Sequence, residues 1–147
     1  MNLKAIADAL AGRFTGVTAG GESIGIGPTA SLPNAVTVGP ALLVFPPTGT
    51  LELVMGPRNR DTYDFPIRLL RDPLSVPERT DRLYEWADAM RLRVEGNMDL
   101  DLAYVAWAQS VALTLAIDGF TYNDTLYDVV ELTVRVQINE IASGVSI

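Results

Sequence analysis

At 147 residues the chain is sized for one domain, 1–147, with a core of its own. It holds neither cysteine nor histidine, which excludes disulfides, thiolate chemistry, imidazole metal sites and histidine acid–base catalysis. Its net charge of −7 has the wrong sign for a free-standing nucleic-acid binder.

Apolar residues make up 48% of the chain and mean hydropathy is +0.21, rich for a small soluble monomer. No run of apolar residues is long enough for a spanning helix. The N-terminal stretch MNLKAIADALAGRF carries Asp8 and Arg13 and lacks the apolar segment of a signal peptide. The surplus therefore points to surface buried against partner subunits.

Asn2 to Phe14 has the spacing of a short amphipathic helix, with Leu3, Ile6, Leu10 and Phe14 on one face and Asn2 as cap. The glycine-rich segment Gly16 to Pro33 leaves room for one short strand around Ser23–Ile26. Ala35 to Phe45 is strand-like but interrupted by Gly39-Pro40, which predicts a bulged or edge strand. Leu51–Met55 and Tyr63–Leu69 alternate as strands joined by a polar tip, Gly56 to Asp61. Pro66 cannot donate to a ladder, so its strand has one side unpaired or bulged there. Ser75 to Glu95 is the strongest helix: Ser75 caps it, Pro77 and Glu78 suit its first turn, and Leu83, Trp86, Ala87, Met90 and Val94 form its apolar stripe. Asp99 to Trp107 is read as a short helix leading into the last two strands.

Those last strands, Ser110 to Asn139, organise the rest. Val111, Leu113, Leu115 and Ile117 alternate before a turn at Asn123-Asp124, and Val130, Leu132, Val134, Val136 and Ile138 alternate after it. Each set predicts an apolar face that other elements must cover. The expected fold is α+β: a mostly antiparallel sheet of about five strands, with the N-terminal helix and a longer central helix packed on it.

Candidate chemistry is sparse. Gly25-Ile-Gly27 lacks the third glycine and the following helix of a dinucleotide loop, and the only lysine, Lys4, rules out a phosphate loop of the GK[ST] type. Asp99 and Asp101 could ligate a hard cation, though a solvated helix start explains them better. Turn chemistry likewise accounts for Asp118, Asp124 and Asp128 around the hairpin. Trp86 and Trp107 read as core. No catalytic, cofactor-binding or metal residue is assigned, and no cofactor is expected. The candidate contact residues are Arg58, Asn59, Arg60 and Asp61 on the polar tip, two arginines suited to carboxylates on a neighbour.

The order of elements carries a resemblance. A helix of the form NLKAIADALAGRF leads to PNAVTVGP (Pro33–Pro40). A hairpin then returns as YDFPIRLL (Tyr63–Leu70), followed by a long helix beginning VPERTDRLYEWAD and a terminal strand pair. This is similar to the tail terminator, or tail completion, proteins of long non-contractile-tailed phages, over nearly the whole chain and through packing patterns, not chemical signatures. The Gly16–Gly27 segment is longer and more glycine-rich than that pattern. The resemblance implies a structural virion protein and no enzyme. It implies a hexameric ring that caps the head-proximal end of the tail tube, ends its polymerisation and joins tail to head. The implied partners are further copies of the chain, the major tail tube protein and a head-neck stopper protein. Genomic DNA only passes through the lumen, no membrane is involved, and the implied location is the virion, with assembly in the host cytoplasm. A head-side neck ring protein is the nearest alternative. A divalent-metal hydrolase built on Asp99, Asp101 or Asp118, and a small-molecule pocket between the Trp86 helix and the sheet, are the readings from other classes.

Overall fold

A computed structural model describes residues 2–34, 36, 39–53, 58–72, 79–96 and 98–141, with backbone alone at 50–53, 58–60 and 140–141. Helix α1, Leu3–Gly12, begins where the Asn2 side chain accepts a hydrogen bond from the Ala5 amide at 3.0 Å. Its apolar face, Ile6, Leu10 and Ala11, continues into Phe14, and all four are buried. The glycine-rich segment holds three short strands, not one: β1 (Thr18–Ala19), β2 (Glu22–Ser23) and β3 (Ile26–Thr29). β1 and β2 form a separate two-stranded hairpin around Gly20-Gly21, both at positive φ. Two-residue strands show no alternation, so no sequence pattern marks them. Glycine at position 20 has a second cause: a side chain there would collide with the Arg82 guanidinium and the Glu85 carboxylate.

The remaining strands are β4 (Ala41–Val44), β5 (Thr48–Leu53), β6 (Arg58–Arg71), β7 (Val105–Tyr122) and β8 (Thr125–Ile141). With β3 they form one six-stranded sheet in the order β3-β4-β6-β8-β7, β5 pairing with β6 beyond the end of β4. All pairs are antiparallel except β3 with β4. The architecture is α+β as expected, but among the described residues it has eight strands in two sheets, not about five.

Two further expectations change. β4 is an interior strand whose four residues are all buried, because Gly39-Pro40 precedes it and does not interrupt it. The edge beside it is β3, which carries Pro28. Pro66 behaves as its chemistry demands. On one side β6 pairs with β5 up to Asp64 and with β4 from Ile67. The Pro66 carbonyl accepts from the Phe45 amide at 2.8 Å, so its missing N–H falls in the gap between the two partners.

Helix α2, Arg79–Arg93, buries Leu83, Trp86, Ala87 and Met90, with Val94 just past its end. The expected cap Ser75, with Pro77 and Glu78, lies outside the described residues. Both helices cover one face of the sheet, whose contribution is Leu42, Val44, Phe65, Ile67, Leu69 and alternate residues Val130 to Ile138 of β8. A smaller cluster of Ala41, Leu43, Leu70, Tyr127 and Val129 lies apart from that main core, with Phe45, Phe120 and Tyr122 against it. There the Arg68 guanidinium lies 4.5 Å from the Phe45 ring centre and 4.6 Å from that of Phe120, and pairs with Glu131 at 2.6 Å.

Residues 99–107 are not a helix. Leu100 and Asp101 both have positive φ, and the Asp99 carboxylate accepts from the Asp101 amide at 2.9 Å. This side chain–backbone turn outcompetes a helical start. β7 and β8 meet at Asn123-Asp124, both at positive φ, the primed turn that matches strand twist.

Candidate assembly surface

β6 and β8 place the candidate contact residues. Arg58, Asn59, Arg60 and Asp61 belong to β6, where the backbone of Asn59, Arg60 and Asp61 pairs with β5 on one side and β8 on the other. The expected polar tip is thereby corrected: the strand itself begins at Arg58, and Asp61 is buried. Residues 54–57 lie outside the described part. Cleavage by trypsin needs a segment released from its ladder. The bonds after Arg58 and Arg60 are therefore expected to be cut slowly in the free subunit, more slowly than those after Arg13 or Arg93. Mass spectrometry of a timed digest checks this, and early cutting at Arg60 would contradict the three-strand pairing.

The acidic residues separate into two places. Asp99 and Asp101 precede β7 and border a polar hollow with Arg13 and Glu95. Asp118 sits near the other end of β7, so the three are not one constellation. Among the described residues no group of three or more acidic side chains is placed to hold a metal ion. The space between the Trp86 helix and the sheet is filled: Trp86, Leu83 and Met90 are buried there. Trp107 is half-buried, its indole N–H donating to Gln137 at 3.1 Å, and it takes no part in the main core.

What pattern reading missed is a set of ion pairs that fastens α2. At its first turn Arg79 donates to both oxygens of Asp128, at 3.0 and 2.6 Å, and to Asp118 at 3.0 Å. Asp128 is fully buried and also accepts from the Asp118 amide at 2.9 Å, which holds Asp118 at φ 50°. Further along, Glu22 of β2 accepts from Arg71 at 2.9 to 3.2 Å and from the Trp86 indole at 2.9 Å. Arg82 reaches the Gly20 carbonyl and pairs with Glu85 at 2.9 Å. Apart from Asp118 with Asp128 and Arg82 with Glu85, these partners are 39 to 64 residues apart, beyond the reach of local patterns.

Burial alone would raise the pKa of Asp128 and Glu22, but stronger influences lower both. For Asp128 these are the hydrogen bonds from Arg79 and the Asp118 amide and the charges of Arg79 and Arg71; for Glu22, the hydrogen bonds from Arg71 and Trp86 and the charges of Arg71 and Arg82. The Asp128 carboxylate in turn raises the pKa of Arg79. Carboxylates with depressed folded pKa values stabilise fully above their ordinary values, 4.5 for Glu22 and 3.8 for Asp128, and lose that contribution as pH falls through the folded ones. The urea midpoint is expected to stay level from pH 8 to 5 for these groups and to drop below about 4.5. Glu22→Gln should flatten the upper part of that drop, and an unchanged profile would remove Glu22 from the account.

Two exposed surfaces remain. The sheet face away from the helices carries the smaller apolar cluster at one end and is polar at the other, where Arg135 is bidentate to Asp64 at 2.8 and 3.1 Å beside Thr48 and Thr62. The other surface is the β7 margin. β7 lies at the end of the sheet, and of its expected buried face only Leu115 packs against the core, half-buried: Val111, Leu113 and Ile117 are 40%, 39% and 44% exposed. α2 crosses over β7 and β8, and its Arg79 reaches Asp118 of the outer strand, but Val111, Leu113 and Ile117 are left in the open. The result is an open groove. Arg91, Val94, Glu95 and Leu113 line one stretch of about 530 Å³, and Thr80, Tyr84, Leu115 and Ile117 line the next. No helix among the described residues is long and apolar enough to cross a membrane. Compared with known proteins, the chain matches no protein-family model, and no curated protein matches it in sequence.

Proposed function

We propose that the protein is a structural subunit of a phage tail. Further copies of it form a ring at the head-proximal end of the tail tube, stop the tube growing and join it to the head. The observation that carries this reading is the order of elements with their packing phrases. A short helix, the stretch around PNAVTVGP, a return strand YDFPIRLL, a long helix and a terminal strand pair follow one another as in tail terminator proteins. An 18-residue edge strand with large apolar side chains in the open supports it, because such a margin suits a chain that works in contact with other chains. The reading assigns no catalytic role, and DNA is a passenger: a surface with net charge −7 per chain gains little from phosphate contacts.

The test is assembly. Purified protein mixed with its tail tube protein is expected to give ring-shaped caps on tube ends in negative stain and shorter tubes than tube protein alone. Tubes of unchanged length with bare ends would overturn the proposal.

A further inference from the structure

β7 keeps an unbroken register with β8 from Ala112 to Ala116, its longest regular run, between register shifts at Ser110/Ala112 and Ala116/Phe120. This run is ALTLA, centred on Thr114. It forms the outer margin of the sheet, and Ala112, Leu113 and Thr114 are exposed. Long solvent-facing edges are normally blunted by lysines or inward charges. β7 has one charged residue, Asp118, and that is tied to Arg79. The charged side chains on the groove wall, Arg91 and Glu95, are of opposite sign. With Asp88, which lies on the same α2 face as Tyr84 and Arg91, the wall carries one net negative charge of the chain's −7, so most of that charge lies away from this margin and two copies can meet there with little repulsion.

We infer that the β7 margin binds the same margin of a second copy, antiparallel, across a twofold axis at Thr114. The pattern is self-complementary about that residue. Thr114 faces its mate, Leu113 faces Leu115 of the other copy, and Ala112 faces Ala116. Leu113 and Leu115 lie on the helix side, opposite Leu132 and Val130. Their pairing closes the groove that α2 leaves open. Strands about 4.8 Å apart would bring the two α2 helices, each lying over a β7–β8 pair, to about 10 Å, a normal helix-packing distance. α2 runs antiparallel to β7, its Arg91 end level with Leu113 and its Tyr84 end level with Ile117. The axis therefore sets Arg91 of one copy against Tyr84 of the other, a favourable guanidinium–aromatic pairing. The contact is twofold, whereas a ring around a tube needs two different surfaces, so this pairing stands independently of the tail reading.

The absence of cysteine from the chain makes the test direct. Opposed residues in an antiparallel pair have Cα atoms about 4.5–5.5 Å apart, inside the range a disulfide spans. In the full chain, without tube protein, Thr114→Cys is expected to oxidise to a covalent dimer. Ala112→Cys, whose copies stand about 14 Å apart in this register, should link at least tenfold more slowly. Wild-type protein should sediment as a concentration-dependent dimer. Leu113→Lys, folded by circular dichroism, should weaken that dimer at least tenfold. Equal linking at both cysteines, or protein that stays monomeric at every concentration, would overturn the proposal. So would higher oligomers in which Thr114→Cys does not link, which would show a head-to-tail use of β7. A dimer that fails to cap tubes would count against the tail reading alone.

Discussion

Trp86→Ala is expected to destabilise the fold by about 4 kcal/mol, and to lower the melting temperature by roughly 8–16 °C. The side chain is 0% exposed, so truncation leaves a cavity between α2 and the sheet that Leu83 and Met90 cannot collapse to fill. It also removes the indole N–H that Glu22 accepts. Trp107→Ala provides the comparison: half-buried and outside the main core, it should cost about half as much or less. Urea unfolding followed by circular dichroism separates the two. Equal losses would mean that Trp86 is not the centre of the helix–sheet contact.

Asp128→Ala should be the costliest change to a charged side chain, about 2 kcal/mol. The carboxylate is wholly buried and satisfies both Arg79 and the Asp118 amide, and the amide loses that acceptor when it goes. Arg79 limits the loss, because its exposed side can turn towards water or keep Asp118. Asp118→Asn tolerates the same positive φ and leaves the Asp128 pair intact, so it should stay within about 0.5 kcal/mol of wild type. In an Arg79→Met background the Asp128→Ala cost should shrink, since the two act as one unit. Additive losses would show that Arg79 and Asp128 are not coupled.

Much of the fold was legible because its largest elements obey a single period. The stripe Leu83, Trp86, Ala87, Met90 and Val94 gives α2, and the run Val130 to Ile138 gives the centre of the sheet. The alternation of Val111 to Ile117 was equally clear, yet it reports only that one face is apolar, not that this subunit covers it. Pattern reading failed where a side chain competes with the backbone, as at Asp99, and where strands are two residues long, as in β1 and β2. Arg58 to Asp61 looked like a tip because their polarity resembles a turn; β8 pairs with all four, and β5 holds Asn59 to Asp61 from the other side. The fastening of α2 by Asp128 and Glu22 had no sequence signal, since each partner lies on a separate element.

The last strand among the described residues is an interior strand of the sheet. β8 sits between β6 and β7, and its far end pairs Ile141 with Arg58, a separation of 83 positions. During synthesis β3 to β6 and both helices emerge before the strand that completes their shared face. Until residues 125–141 leave the ribosome, Phe65, Ile67, Leu69 and Trp86 lack the surface they pack on. Closing so distant a pair is slow compared with forming a helix or a hairpin, and the waiting chain is open to aggregation. Nascent chains stopped before Thr125 are therefore expected to be protease-sensitive and chaperone-bound, and those that include Ile141 to become resistant in a single step.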